Sequence, residues 1–127
     1  QVNLNAPYLL TRACLPLLKK SDDASVLFTS STVGHKGRAY WGAYGISKAA
    51  AENMMQIFAD ELEENTPVRV NSIDPGAVRT RMRARAYPGE DPNINPTPEE
   101  IMNIYLYLMG ADSKEETGKS FKAQEKN

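Results

Sequence analysis

A pair of strand-like runs, separated by a long helical stretch, limits what this chain can fold into more than any other feature. Ser25-Val26-Leu27-Phe28-Thr29 is continuously apolar at its centre, without the alternation of a half-buried strand. Such a run reads as a strand buried on both faces of a parallel sheet. Val68-Arg69-Val70-Asn71-Ser72-Ile73 is a second strand, bounded by Pro67 and by Asp74-Pro75-Gly76. The helix between them is expected from residues 41–43 to about 64. Two parallel strands need a crossover of that kind, because no tight turn can join them.

The remaining segments extend the same alternation. A first helix is expected over residues 1–19, with Leu4, Leu9, Leu10, Ala13, Cys14, Leu17 and Leu18 roughly on one face. Lys19 and Lys20 suit its negative C-terminal end. Residues 30–40 read as a loop, and residues 79–96 as an irregular segment rich in Arg and Pro. Thr97-Pro98-Glu99-Glu100 is a capping box with proline at the first helical position. The helix it opens carries Ile101, Met102, Ile104, Tyr105, Leu108 and Met109 and ends near Gly110. A last strand is expected over residues 119–123. Strand, helix, strand, helix, strand predicts an α/β fold with a parallel sheet. Gln1 is not an initiator methionine, and no capping residue precedes the first helix. A three-stranded parallel sheet would also leave an apolar edge open. Both features lead to the expectation of a chain cut upstream.

Composition excludes several function classes. Fifteen Lys plus Arg against 16 Asp plus Glu leave a net charge of -1, which provides no basic field for nucleic acid or an anionic membrane surface. No apolar run approaches the roughly 20 residues that cross a bilayer, so a soluble, cytoplasmic protein is expected. With one cysteine, Cys14, and one histidine, His35, neither an internal disulfide nor a cysteine- or histidine-based metal site is expected.

Tyr44 and Lys48 are four residues apart near the start of the long helix and therefore share a face. A tyrosine titrates near 10, so proton exchange near neutrality requires a shift of about three units, roughly 4 kcal/mol. Burial alone works against the phenolate. One ammonium at about 4 Å supplies roughly 4 kcal/mol at an effective dielectric of about 20. Helix amides add about 0.3 to 1 kcal/mol. Such a pair is common by chance, but its surroundings are not. Ser30-Ser31 closes the first strand thirteen positions before Tyr44, and Asp74-Pro75-Gly76 closes the second, both at the edge where open α/β sheets bind ligands.

These stretches resemble the short-chain dehydrogenase/reductase family. The matches are Val2-Asn3, the segment from Val26 through Ser31 and Gly34 to Tyr44-Gly45-Ile46-Ser47-Lys48-Ala49, and Val68 to Gly76 with Thr80. The resemblance implies the C-terminal half of a Rossmann-type, doubly wound parallel sheet, with residues 1–127 as part of one domain and the N-terminal cofactor-binding half absent. It implies an NAD(P)-dependent oxidoreductase interconverting a carbonyl and an alcohol, with NADP favoured over NAD. Tyr44 would be the acid/base and Lys48 its cationic partner, both touching the nicotinamide ribose. Ser31 would hold the substrate oxygen, and Asn3 would help a water relay protons towards Lys48. Pro75, Gly76, Val78 and Thr80 would line the nicotinamide. Residues 79–110 would supply a substrate lid and the following helix. A homodimer or homotetramer acting on a small molecule is implied, with the long helix and the preceding one at the contact. Trp41-Gly42-Ala43-Tyr44 and Tyr105-Leu106-Tyr107-Leu108-Met109-Gly110 further resemble a bacterial yciK-like branch.

The chain departs from the family in lacking a glycine-rich strand-to-helix turn for the pyrophosphate, an Asn-Asn-Ala-Gly run, and the usual Asp-Gly-Gly after the last strand. A catalytically silent fragment serving as a structural or interaction module is therefore the competing expectation. Arg79, Arg81, Arg83 and Arg85 read as a solvated, mobile lid, with helical spacing sending them in two directions rather than into one anion patch. Tyr40 and Trp41 fit substrate contact or helix packing equally. Glu61, Glu63 and Glu64 read as a solvated helix face.

Overall fold

The computed structural model describes residues 3–125. The elements in chain order are α1 (Asn5–Lys20), β1 (Ala24–Thr29), α2 (Thr32–His35), α3 (Gly42–Leu62), β2 (Val68–Asp74), α4 (Arg81–Ala86), α5 (Met102–Met109) and β3 (Ser120–Lys122). The three strands form one parallel sheet in the order β1-β2-β3. Ala24 faces Val68 and Thr29 faces Ile73, so β1 and β2 end together. Their C-terminal ends therefore open onto one edge, which is where the site is built.

β2 is the central strand, and all seven of its residues are buried. Its two faces meet different partners. Val68 and Val70 pack with Phe28, Met54, Met55, Phe58 and Leu62, the core between the sheet and α3. Each large side chain buried there contributes about 1.5–3 kcal/mol. The Phe28 and Phe58 rings stack at 6.4 Å. Most polar groups of β2 find partners, as burial requires; the Arg69 Nε is the exception, with no partner among the described residues. The Ser72 hydroxyl donates to Glu52 Oε1 at 2.7 Å, tying β2 to α3. The Asn71 amide donates to the Glu116 carbonyl at 2.7 Å and accepts the Lys119 N–H at 3.1 Å, which fixes the approach to β3. Arg69 bonds Asp23 and the Gly110 carbonyl, joining the starts of β1 and β2 to the end of α5.

Several expectations are corrected. α1 begins at Asn5 rather than at residue 1, and residues 1 and 2 lie outside the described residues. Its apolar residues are not uniformly buried. Leu15 and Leu18 pack against the core, whereas Leu9, Leu10 and Leu17 are exposed. The stretch expected as a loop after β1 contains α2, and the stretch expected as irregular contains α4 and a 3-10 turn at Pro92–Ile94. The capping box forms reciprocally, Thr97 N–H to Glu100 Oε2 at 3.1 Å and Glu100 N–H to Thr97 Oγ1 at 3.4 Å. It opens a 3-10 turn at Glu99–Ile101 that leads into α5.

Candidate active site

The edge of the sheet gathers the chemistry in three steps. First, β1 runs out through Thr29 into Ser30 and Ser31. The Ser30 N–H donates to the Ile73 carbonyl at 2.7 Å, prolonging the ladder by one bond. Ser31 then occupies the residue before α2 with an extended backbone, and its side chain makes no capping bond. A half-buried hydroxyl not committed to the helix is thus held beside the strand end.

Second, α2 is pressed onto α3. The contact falls at Gly34, next to the Lys48 backbone, and at Gly45, next to the Val33 carbonyl. This brings the first turns of α3 to the end of β1. The Lys48 ammonium donates to the Thr29 carbonyl at 3.1 Å and lies 5.5 Å from the centroid of the Tyr44 ring. Burial pushes the Lys48 ammonium below the usual lysine range. Tyr44 sits in the first turn of α3, partly exposed, with the Trp41 ring 5.8 Å away. Tyr44, Lys48, Ser31 and the Thr29 carbonyl therefore meet at one edge, set there by β1, α2 and α3.

Third, β2 ends in a tight turn. The Gly76 N–H donates to Asp74 Oδ1 at 2.9 Å, and Gly76 adopts a φ of 70°, a conformation that favours glycine. The turn leads through Val78, half-buried, to Thr80, whose Oγ1 accepts the Arg83 N–H at 3.1 Å and caps α4. Thr80 still has its hydroxyl proton to donate.

Not every residue singled out in the sequence joins this group. Asn3 is exposed in the turn before α1, and among the described residues no bond links it to Lys48. The arginine segment is braced rather than loose. Arg83 makes a two-pronged bond to Glu90 at 2.9 and 2.8 Å, and its guanidinium lies 3.8 Å above the Tyr87 ring. Asn95 also donates to Glu90, at 2.6 Å, while Arg79 reaches the carbonyls of Pro92 and Asn95. Arg81 and Arg85 point to solvent. The four arginines do take two directions, but two of them, Arg79 and Arg83, brace residues 79–95 internally. Tyr40 is fully exposed with a φ of 69°. Glu61, Glu63 and Glu64 are exposed.

Two residues that brace this edge, Asp74 and Gln124, carry no expected role of their own in the sequence. Asp74 had a local signal, since an aspartate accepting an N–H two residues on is a common turn device. Gln124 had none, because its partners Pro75 and Ala77 are 49 and 47 residues away.

The donor set at this edge suits the nicotinamide ribose of a dinucleotide. Lys48 uses one of its three N–H groups on Thr29, leaving two, and Tyr44 and Thr80 each carry a hydroxyl. A glycine-rich turn for the pyrophosphate is not in the sequence.

Residues 1–91 match the family model for short chain dehydrogenase. The Escherichia coli K12 oxidoreductase YciK is 57% identical over 124 residues, covering 98% of this chain and 48% of that protein. The crystal structure of a short chain dehydrogenase from Salmonella enterica serovar Typhi CT18 superposes with a TM-score of 0.94 at 56% identity, over 98% of this chain and 51% of that one. A short chain dehydrogenase structure from Escherichia coli CFT073, complexed with NADPH, gives a TM-score of 0.93 at 56% identity, over 98% of this chain and 51% of that one. The chain spans about half the length of the curated relatives it matches.

Proposed function

The chain belongs to the short chain dehydrogenase family, and from that premise we propose that it supplies the proton-transfer site of an NAD(P)-dependent oxidoreductase acting on a small carbonyl or alcohol. The single observation that carries this reading is the Lys48 ammonium, bonded to the Thr29 carbonyl and placed over the Tyr44 ring. In reduction, the Tyr44 hydroxyl gives its proton to the substrate oxygen, and in oxidation the phenolate takes it back. Lys48 stabilises the phenolate by charge. The Ser31 hydroxyl donates a hydrogen bond to the oxygen as negative charge develops on it. A bound nicotinamide supplies or accepts the hydride. Pro75, Gly76, Val78 and Thr80 line its binding edge, with the Val78 backbone and the Thr80 hydroxyl as contacts. Support for NADP over NAD comes from the relative whose structure is complexed with NADPH.

A second copy of the chain is the proposed partner. Leu9 and Leu10 on α1 and Ile57 on α3 are exposed, and Ile57 lines a groove of about 360 Å³ together with Met54 and Phe58. Among the described residues, no helix is long and apolar enough to cross a membrane.

The experiment follows the emission of Trp41, the one tryptophan, while NADPH and then NADH are titrated into the purified protein. Saturable quenching, followed by carbonyl-dependent loss of reduced-nicotinamide absorbance, is the expected result. No binding of either dinucleotide would overturn the reading.

A further inference from the structure

Asp74 is only 6% exposed, and among the described residues no cation pairs with its carboxylate. A buried charge of this kind is costly unless hydrogen bonds replace its water. Its two oxygens are divided between the two loops of the site. Oδ2 accepts the Thr32 hydroxyl at 2.9 Å, next to Ser31, and Oδ1 accepts the Gly76 N–H at 2.9 Å, next to Pro75. Bonds to an ionised acceptor are roughly twice as strong as neutral ones, so this bridge is stiff. The Asp74 charge also reaches α5, where it adds to burial in pushing the Tyr105 phenol up.

The same turn is gripped from its other side. Gln124 Nε2 donates to the Pro75 carbonyl and to the Ala77 carbonyl, each at 2.8 Å. An amide nitrogen has two protons, and here each has a partner straddling Gly76. A Cβ on Gly76 would come within 2.9 Å of that nitrogen, so the amide lies directly against the turn, while the φ of 70° is what favours glycine there. Gln124 lies two residues beyond the end of β3 and outside the apolar core cluster.

We propose that Asp74 and Gln124 form a positioning clamp, holding the Ser31 loop and the Pro75–Val78 turn in fixed relation so that the dinucleotide is bound by a preformed edge. The proposal rests on the functional reading above. Preformed sites bind tightly because less ordering is left to do when the ligand arrives.

The test compares Gln124→Met and Asp74→Asn with the parent protein, using NADPH affinity from Trp41 emission, the melting temperature, and kcat and KM separately. Gln124→Met keeps the side-chain length and loses both donors. It is expected to raise the NADPH Kd about tenfold, with the melting temperature unchanged. Asp74→Asn keeps one acceptor oxygen and is expected to weaken NADPH binding while also raising substrate KM, since it releases the Ser31 loop. If Asp74→Asn fails to fold, Gln124→Met decides alone. NADPH affinity within about twofold of the parent in Gln124→Met would overturn the clamp, whatever happens to stability. That result leaves the functional reading intact, whereas a parent that binds no dinucleotide overturns both.

Discussion

A side chain at Gly34 would collide with Lys48: a Cβ built there lies 2.9 Å from the Lys48 carbonyl carbon and oxygen, and 3.0 Å from its Cβ. Two of those atoms are backbone in the middle of a helix and cannot step aside. Gly34→Ala should therefore lift α2 off α3 and destabilise the protein by about 1–3 kcal/mol. Because α2 follows Ser31 directly, kcat should fall as well. Chemical denaturation and steady-state kinetics on the same variant check both effects, and a neutral outcome would show that α2 is not fixed as described.

Lys48 gives a pH dependence of defined sign. Burial lowers its pKa from 10.5 in the folded protein, so the ammonium loses its proton earlier on an alkaline titration than an exposed lysine does. NADPH affinity should decline along a limb centred below 10.5. Folding stability should move the other way. Between the folded and unfolded pKa values the unfolded chain binds more protons, so the Lys48 contribution to stability rises with pH through that window. Lys48→Met should abolish both trends, which binding and denaturation measured from neutral to alkaline pH would show.

Tyr40 holds a left-handed backbone with its side chain fully in solvent. A non-glycine residue in that region costs of order 1 kcal/mol or more. Tyr40→Gly should raise stability by about 1 kcal/mol. If the ring also meets substrate, KM rises in the same variant, and unchanged KM assigns Tyr40 to the loop alone.

The exposed apolar residues of α1 and α3 predict an assembly. Ile57 is 50% exposed beside the groove lined by Leu4, Tyr8 and Phe58. Ile57→Glu should shift the protein towards monomer in light scattering after size exclusion, because a buried unpaired carboxylate opposes the contact. A parent protein that is already monomeric would remove this surface from the account.

Much of this arrangement is legible in the sequence. The run Ser25 to Thr29 and the run Val68 to Ile73 fell where β1 and β2 lie, since continuous apolar patterning and flanking Pro and Gly are local signals. Tyr44 and Lys48 fell on one helix face for the same local reason. What stayed hidden was long-range. The Lys48 bond to Thr29 spans 19 positions, and Gln124 reaches back more than 45 to brace the Pro75 turn. Glu90 organises the segment after β2 through Arg83 and Asn95, contacts that a polar, Pro-containing stretch does not advertise. α1 misled for a different reason. Periodicity marks Leu9, Leu10 and Leu17 as apolar-face residues, but it does not say whether that face meets the core of the same chain.

Tyr44, held beside Lys48, is the proposed proton donor and acceptor. The most direct measurement is carbonyl reduction by Tyr44→Phe, with NADPH binding followed in parallel by Trp41 emission. kcat should fall by about 10²- to 10⁴-fold. NADPH affinity should weaken by no more than about tenfold, the loss of one hydrogen bond. Carbonyl reduction unchanged in Tyr44→Phe would contradict this role.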